Sequence, residues 1–284
     1  MTGASTPFTV TGPAGGLSGE FEGEGPPIVL LHGLTAVRRY VVHGSRVLPR
    51  RGFRAISYDA RGHGESDPAP ADTGYGFEEL SADLAAVLGA QVGDRRCVLA
   101  GHSMGAHTLT ARALAEPDRV AALVVIGPVY LGNPTSDETL AYWDALADGL
   151  ERDGVEGFIA AYDRGLDPAW RETLLRITRE RLSLHRHPEA VARALREVPR
   201  SDPFADLAEL EFLELPALVV ASHDDADPGH PYAVAEAWAQ RLPQATLISE
   251  QPGESPLAWQ GGKLSREIAA FCERPEVAAR LSGP

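Results

Sequence analysis

The stretch AGHSMGAH, residues 100–107, sets Ser103 between Gly101 and Gly105 directly after the apolar run Cys97, Val98, Leu99, Ala100. A G-x-S-x-G pattern that follows a strand-like run and precedes a helix-like one, here HTLTARALAEP, describes a sharp strand-turn-helix corner. Such a corner lifts the serine hydroxyl above the sheet edge and places it at a helix N-terminus, with the glycines allowing the turn and close packing. An alcohol becomes a useful nucleophile only when a base of suitable pKa takes its proton, so the search for function is a search for that base. Two further stretches bear on it. LLHGL, residues 30–34, ends an early strand in His-Gly, where the Leu34 N–H and the Met104 N–H could together polarise a carbonyl oxygen. ALVVASHDDADPGHP, residues 217–231, crowds Asp224, Asp225, Asp227 and His230 into one turn.

Positioning these residues is the task of short apolar runs that recur along the chain. IVLLHG from Ile28, FRAISYDA from Phe53, CVLAG from Cys97, VAALVVIG from Val120, ALVVAS from Ala217 and ATLISE from Ala245 read as buried strands. Helical stretches lie between them, such as FEELSADLAAVLGAQ, where Leu80, Leu84, Val87 and Leu88 share a face. Strands alternating with helices imply an α/β fold with a mainly parallel sheet covered on both sides. The first residues, FTVTGPAGGLSGEFEG, predict an antiparallel edge hairpin. After Pro128 the rhythm breaks, and YWDALADGL, VEGFIAAYDRGL, WRETLLRITRERLSL and PEAVARALREV each carry an apolar stripe punctuated by prolines. Residues 131–214 are therefore expected to be a helical cap, inserted between core segments 1–130 and 215–284.

LLHGL, YDARGHGES (58–66) and GHSMG, in this order, resemble the α/β-hydrolase fold family, and ALVVASHDDADPGHP resembles its acid-bearing turn. The resemblance implies a capped eight-stranded core, a nucleophile for acyl chemistry at Ser103 and an oxyanion hole from the backbone of Leu34 and Met104. It further implies an acid after ALVVAS and a histidine after the last strand. Asp225 fits the acid when counted from the strand, and Asp227 when counted back from DPGHP; Asp227 is preferred. The histidine departs from the pattern. None of the nine, His32, His43, His63, His102, His107, His185, His187, His223 and His230, follows ATLISE, and QPGESPLAW puts Glu254 in that place. Two arrangements remain open. Glu254, raised by burial from its ordinary value of about 4.3, could shuttle the proton. Alternatively, His230 could turn toward Ser103 while Glu254 orients it.

The expected function is a cofactor-free serine hydrolase acting on an ester, lactone, thioester or similar acyl compound. Other readings are a lyase, cyclase or isomerase that moves a proton through Glu254, and a degenerate member of the fold that only binds a small ligand. The remaining histidines have structural expectations: His102 as a wall residue diverging from Ser103, His32 and His63 as loop braces, His107 in the core, His185 and His187 exposed on the cap. Arg38, Arg39 and Tyr40 could line the pocket mouth and favour a carboxylate or phosphate, but a solvated helix start is the preferred explanation. Trp143, Tyr162, Trp170 and Trp259 suit a pocket or plain packing. No HExxH or paired CxxC is present, and GHGES does not follow a strand as a dinucleotide fingerprint does, so neither a metal nor a nicotinamide cofactor is expected.

The 284 residues, 44% hydrophobic, suffice for one large domain or a domain with an insertion. Twenty-six basic against 40 acidic residues give a formal net charge of −14, scattered along the chain. That disfavours nucleic acid or an anionic membrane as partner and leaves a small-molecule substrate, with the oligomeric state unspecified. Two distant cysteines make no disulfide framework. MTGASTPFTV lacks the basic start and apolar stretch of a signal peptide, and a soluble cytoplasmic protein is expected.

Overall fold

A computed structural model describes residues 5–223, 227, 229–250, 259 and 261–283. The N-terminal hairpin is present as β1 (Thr6–Thr11) and β2 (Gly16–Glu22), paired antiparallel from Thr6↔Phe21 to Thr11↔Gly16. Each apolar run is a strand: β3 (Pro27–Leu31), β4 (Arg54–Tyr58), β5 (Cys97–His102), β6 (Val120–Ile126), β7 (Pro216–Val220) and β8 (Gln244–Ile248). They form one eight-stranded sheet in the order β1-β2-β4-β3-β5-β6-β7-β8. Only the β1–β2 and β2–β4 pairs are antiparallel.

The helices are α1 (Val47–Arg50), α2 (Phe77–Gln91), α3 (Met104–Ala115), α4 (Asp137–Tyr162), α5 (Arg171–Leu182), α6 (Pro188–Glu197), α7 (Tyr232–Arg241), α8 (Gly262–Cys272) and α9 (Pro275–Ser282). Alternation along the strands divides the core into two layers, because successive side chains leave opposite faces of a sheet. Val29, Leu31, Leu99, Leu123, Val125 and Val219 meet α2, α3 and α7. Ile28, Leu30, Val98, Ala100, Val124, Leu218 and Val220 meet α1, α8 and α9. Cys97 and Cys272 are buried free thiols, both pushed up to about 12 by burial.

β3 lies between β4 and β5, so the chain leaves β3 toward one edge of the sheet and later returns to its other side. At such a switch point the loops after the two adjacent strands diverge and leave a crevice beyond their carboxyl ends. The pairing of Leu31 with Gly101 brings the two loops, HGL and HSM, side by side there.

Between β6 and β7 the described elements are helical, with a hydrophobic cluster of their own built from Leu146, Leu150, Phe158, Leu182, Val191 and Leu195. The two stretches expected to be separate helices are two helical segments of α4, divided by a break in helical geometry at Gly154 (φ 64°, ψ −148°). These helices seat on the core through Ala190, Ala194 and Val198, which pack with Tyr75, Phe77 and Met104. Among the described residues no helix is long and apolar enough to cross a membrane.

Candidate active site

β5 ends at His102 and α3 begins at Met104, so Ser103 alone makes the corner. Its φ of 51° and ψ of −114° lie where side-chain-bearing residues rarely go, a strain of about 1–3 kcal/mol that the surroundings must impose. The restraint is visible: Ser103 N–H donates to Ile126 O at 2.9 Å, and His107 N–H donates to Ser103 O at 3.1 Å. A Cβ at Gly101 would collide with the Gly105 backbone, and one at Gly105 with the Leu31 and His32 backbones, so both glycines are required by close approach. Neither the Leu34 N–H nor the Met104 N–H has an acceptor among the described residues. For Met104 this follows from its place as first residue of a helix. Ser103 Oγ likewise makes no hydrogen bond among them.

On the loop after β7, His230 Nδ1 is 2.8 Å from both Asp227 carboxylate oxygens. The His230 side chain is 19% exposed and that of Asp227 44%. Burial acts to raise the Asp227 carboxyl, but the attraction and hydrogen bond of His230, with help from His102 and Arg181, outweigh it and hold the group below its ordinary value. The His230 ring lies against Gly127 (φ 55°), where a Cβ would sit 3.2 Å from its Cγ and Cδ2. Gly127 directly follows Ile126, whose carbonyl accepts from the Ser103 N–H, so the imidazole rests on the residue next to the one that anchors Ser103.

The ring centroids of His230 and His102 are 4.7 Å apart. His102 is a wall residue of the cavity, as expected, and its ring meets His230; burial first, and the charge of His230 second, lower its pKa to about 3. His102, Asp227 and His230 each offer one donor atom within 4.8 Å of the others, a set of two imidazoles and a carboxylate able in principle to hold a cation. The Asp227–His230 hydrogen bond engages two of the three with a proton instead. Asp224, Asp225 and Glu254, also singled out in the sequence, lie outside the described residues.

A cavity of about 250 Å³ opens over this group. Gly33, His102, Ile126 and Gly127 line its core side, Asp227, His230 and Trp259 another part, and Leu174, Ile177, Thr178 and Arg181 of α5 reach it from the insertion. Tyr40 and Tyr162 also line it; for Tyr162 and Trp259, which the sequence left open between pocket and plain packing, the cavity is the outcome, and for Tyr40 the pocket rather than a solvated helix start. Arg38 does not: its guanidinium pairs with Asp59 and with Glu65. Arg181 was not singled out by the sequence reading. Its signal was spacing, since Leu174, Ile177, Thr178 and Arg181 fall at i, i+3, i+4 and i+7 on one helix face.

Three other histidines form a separate cluster. His32 Nδ1–H donates to Gly33 O at 2.8 Å, while its Nε2 accepts from the Ala60 N–H at 2.9 Å. His63 donates from Nδ1 to Arg61 O at 2.9 Å, and its Nε2 is buried without a partner among the described residues. His185, expected to be exposed, is instead wedged between loops, accepting from the Gly64 N–H at 2.9 Å and donating to Thr35 O at 3.0 Å. Burial lowers His32 to about 4 and His63 and His185 to about 3. His107 is a core residue as expected, its Nε2 accepting from the N–H groups of Val129 and Tyr130. Arg61 braces the same region by a buried bidentate pair with Asp83 at 2.7 Å. Glu250, after β8, accepts from the His223 N–H and the Ser222 hydroxyl, which ties the two loops that carry candidate chemistry.

A parallel sheet covered by helices, with a strained serine corner at its switch point and a cavity above, defines the class of protein. The chain belongs to the α/β-hydrolase fold family: the model described as alpha/beta hydrolase fold matches residues 26–204. It is an enzyme of the hydrolase type, similar over almost its whole length to a protein of Variovorax paradoxus provisionally named carbamate hydrolase RutD. That match is 30% identical over 264 residues, 92% of this chain and 94% of the relative. Among solved structures, a thermophilic esterase from Thermogutta terrifontis superposes with a TM-score of 0.73 at 24% identity, covering 98% of this chain and 100% of the other. The enol-lactonase from Burkholderia xenovorans LB400 gives 0.71 at 21% identity, covering 93% and 99%. These superpositions establish a shared fold.

Proposed function

We propose that the chain is a serine hydrolase acting on an ester, lactone, thioester, carbamate or similar acyl compound, with a displaced histidine as its base. Ser103 Oγ attacks the carbonyl carbon. His230 Nε2 receives the serine proton and passes it to the leaving group, and water then releases the acyl group by the reverse sequence. Asp227 keeps Nδ1 protonated, fixing the tautomer and stabilising the imidazolium that forms. The Leu34 and Met104 N–H groups receive the oxyanion, and residues 131–214 cap the site. The observation that carries the reading is the Asp227–His230 pair at 2.8 Å, resting on Gly127 beside a serine held at positive φ. It supplies an imidazole with an orienting carboxylate from a single loop. The names of the relatives, a carbamate hydrolase, an esterase and an enol-lactonase, all describe attack at an acyl carbon. Glu254 is given no step.

Intact-protein mass after incubation with a small fluorophosphonate tests this. One adduct on the wild type and none on Ser103→Ala is expected. Absence of an adduct under conditions that label a control serine hydrolase, or turnover intact in Ser103→Ala, overturns it.

A further inference from the structure

Resting on the hydrolase reading, we propose that the substrate carries a carboxylate apart from its scissile bond, and that Arg181 receives it. The arginines of α5 differ in a way that isolates this one. Arg171 pairs with Asp163, Arg176 with Glu180 at 3.1 Å and Arg179 with Glu156 at 2.6 Å. Arg181 makes no ion pair and no side-chain hydrogen bond among the described residues, and its Nε is shut off from solvent without a partner. It is also the arginine of this helix that lines the cavity.

A half-buried guanidinium with one nitrogen shut off from solvent and no counterion among the described residues is stabilised when an anion arrives. Burial pushes its pKa down, with Tyr162, Tyr40 and Asp227 acting in the opposite sense. Asp227 does not serve as its counterion: the carboxylate is engaged by His230, and no ion pair with Arg181 forms. The planar fork of a guanidinium matches a carboxylate in two parallel hydrogen bonds. A net charge of −14 gives no long-range attraction for an anion, so recognition has to come from a local unpaired cation. Leu174 and Ile177 provide an apolar wall beside it, which suits a short methylene chain. Gly33, Ile126 and Gly127 bound the same 250 Å³ space next to the serine corner, a Cβ on Gly33 falling 3.4 Å from Ser103 Cβ, so one small molecule can present an ester or lactone toward Ser103 and a carboxylate to Arg181.

Binding in a hydrolysis-dead background tests the proposal independently of the chemistry. Dissociation constants for monomethyl succinate, glutarate and adipate, each a monoanion, are measured by ligand-observed NMR against the neutral dimethyl esters, on Ser103→Ala with and without Arg181→Met. At least one monoanion is expected to bind tenfold or more tightly than its neutral twin. That preference should fall to within twofold in the Arg181→Met background and return in part with Arg181→Lys. Equal binding of every charged and neutral pair, or a preference unchanged by Arg181→Met, overturns the proposal. Failure of the hydrolase reading would show separately, as unlabelled Ser103 in the wild type.

Discussion

Two groups of histidines sit at the carboxyl end of this sheet, and both hold imidazoles whose pKa is pushed far down by burial. In the first, His32 and His185 spend both ring nitrogens on backbone groups of the surrounding loops, and His63 spends one, on Arg61 O. In the second, His230 spends Nδ1 on a carboxylate and stands over a cavity, with His102 against it. The difference teaches that burial and a depressed pKa accompany purely structural imidazoles here, and that the two groups are separated by their partners. A ring clamped at both nitrogens by backbone has no lone pair to offer a substrate, whereas a ring oriented by a carboxylate at one nitrogen keeps the other for proton transfer.

The largest effect that could break this comparison is on turnover. His230→Gln is expected to lower kcat for p-nitrophenyl acetate about 10³–10⁴-fold, and Asp227→Asn by a similar order, because each removes the base or its tautomer. The thermal midpoint should move little in either, since both side chains are partly exposed. Steady-state kinetics alongside thermal unfolding read the two together; a His230→Gln enzyme retaining most of its kcat would reduce the second group to another structural brace.

A smaller effect, on stability, belongs to the first group. His32 and His63 are 2% and 1% exposed and titrate at about 4 and about 3 in the folded protein, against an ordinary 6.5. The unfolded chain therefore binds protons that the folded chain refuses. Their contribution is complete above about pH 6.5 and is lost as the pH falls toward 4 and 3. At pH 5 the loss is about 2 kcal/mol for each ring, a large share of a typical domain's 5–15 kcal/mol. Urea unfolding between pH 8 and 5 is expected to show stability falling with acid in this window. A flat profile would mean that these rings are not held neutral by burial.

What the sequence made legible follows the range of the forces involved. The eight strands and the serine corner were readable because short continuous apolar runs, the Gly-rich alternation of the N-terminal hairpin and a G-x-S-x-G pattern are local instructions. Asp227 and His230 were each readable as candidates on one loop, but their pairing was not, since the sequence offered Glu254 as the group that orients His230. The approach of His102 to His230 was not, because it depends on Gly127 leaving room for a ring. His185 was misread as exposed because its partners, Thr35 and Gly64, lie 150 and 121 residues away. Arg181 occupies an intermediate position. Its neighbours at i−4 and i+4 are Ile177 and His185, so no acid on its own helix could pair with it, unlike Arg176 with Glu180. That local deficit was visible, but that no acid among the described residues elsewhere in the fold supplies the pair required the structure.

The smallest effect sharpens the comparison most, because it removes an imidazole outright. His63→Phe keeps the ring and its packing between His32 at 5.2 Å and His185 at 5.5 Å. The substitution deletes an Nε2 that already lacks a partner, which costs nothing and relieves an unsatisfied buried acceptor. It also deletes the Nδ1–H donated to Arg61 O, a loss of about 1 kcal/mol. The two changes oppose each other, so a net destabilisation of about 1 kcal/mol or less is expected at pH 8, with kcat/KM within about twofold of wild type. Below pH 6.5 the sign should reverse, because the variant has lost a site whose protonation favours the unfolded chain. A variant that is less stable than wild type at pH 8 and more stable at pH 5, by urea midpoints, would place His63 in the structural group on its titration alone. A fall in kcat/KM comparable to that of His230→Gln would instead join the two clusters into one functional unit.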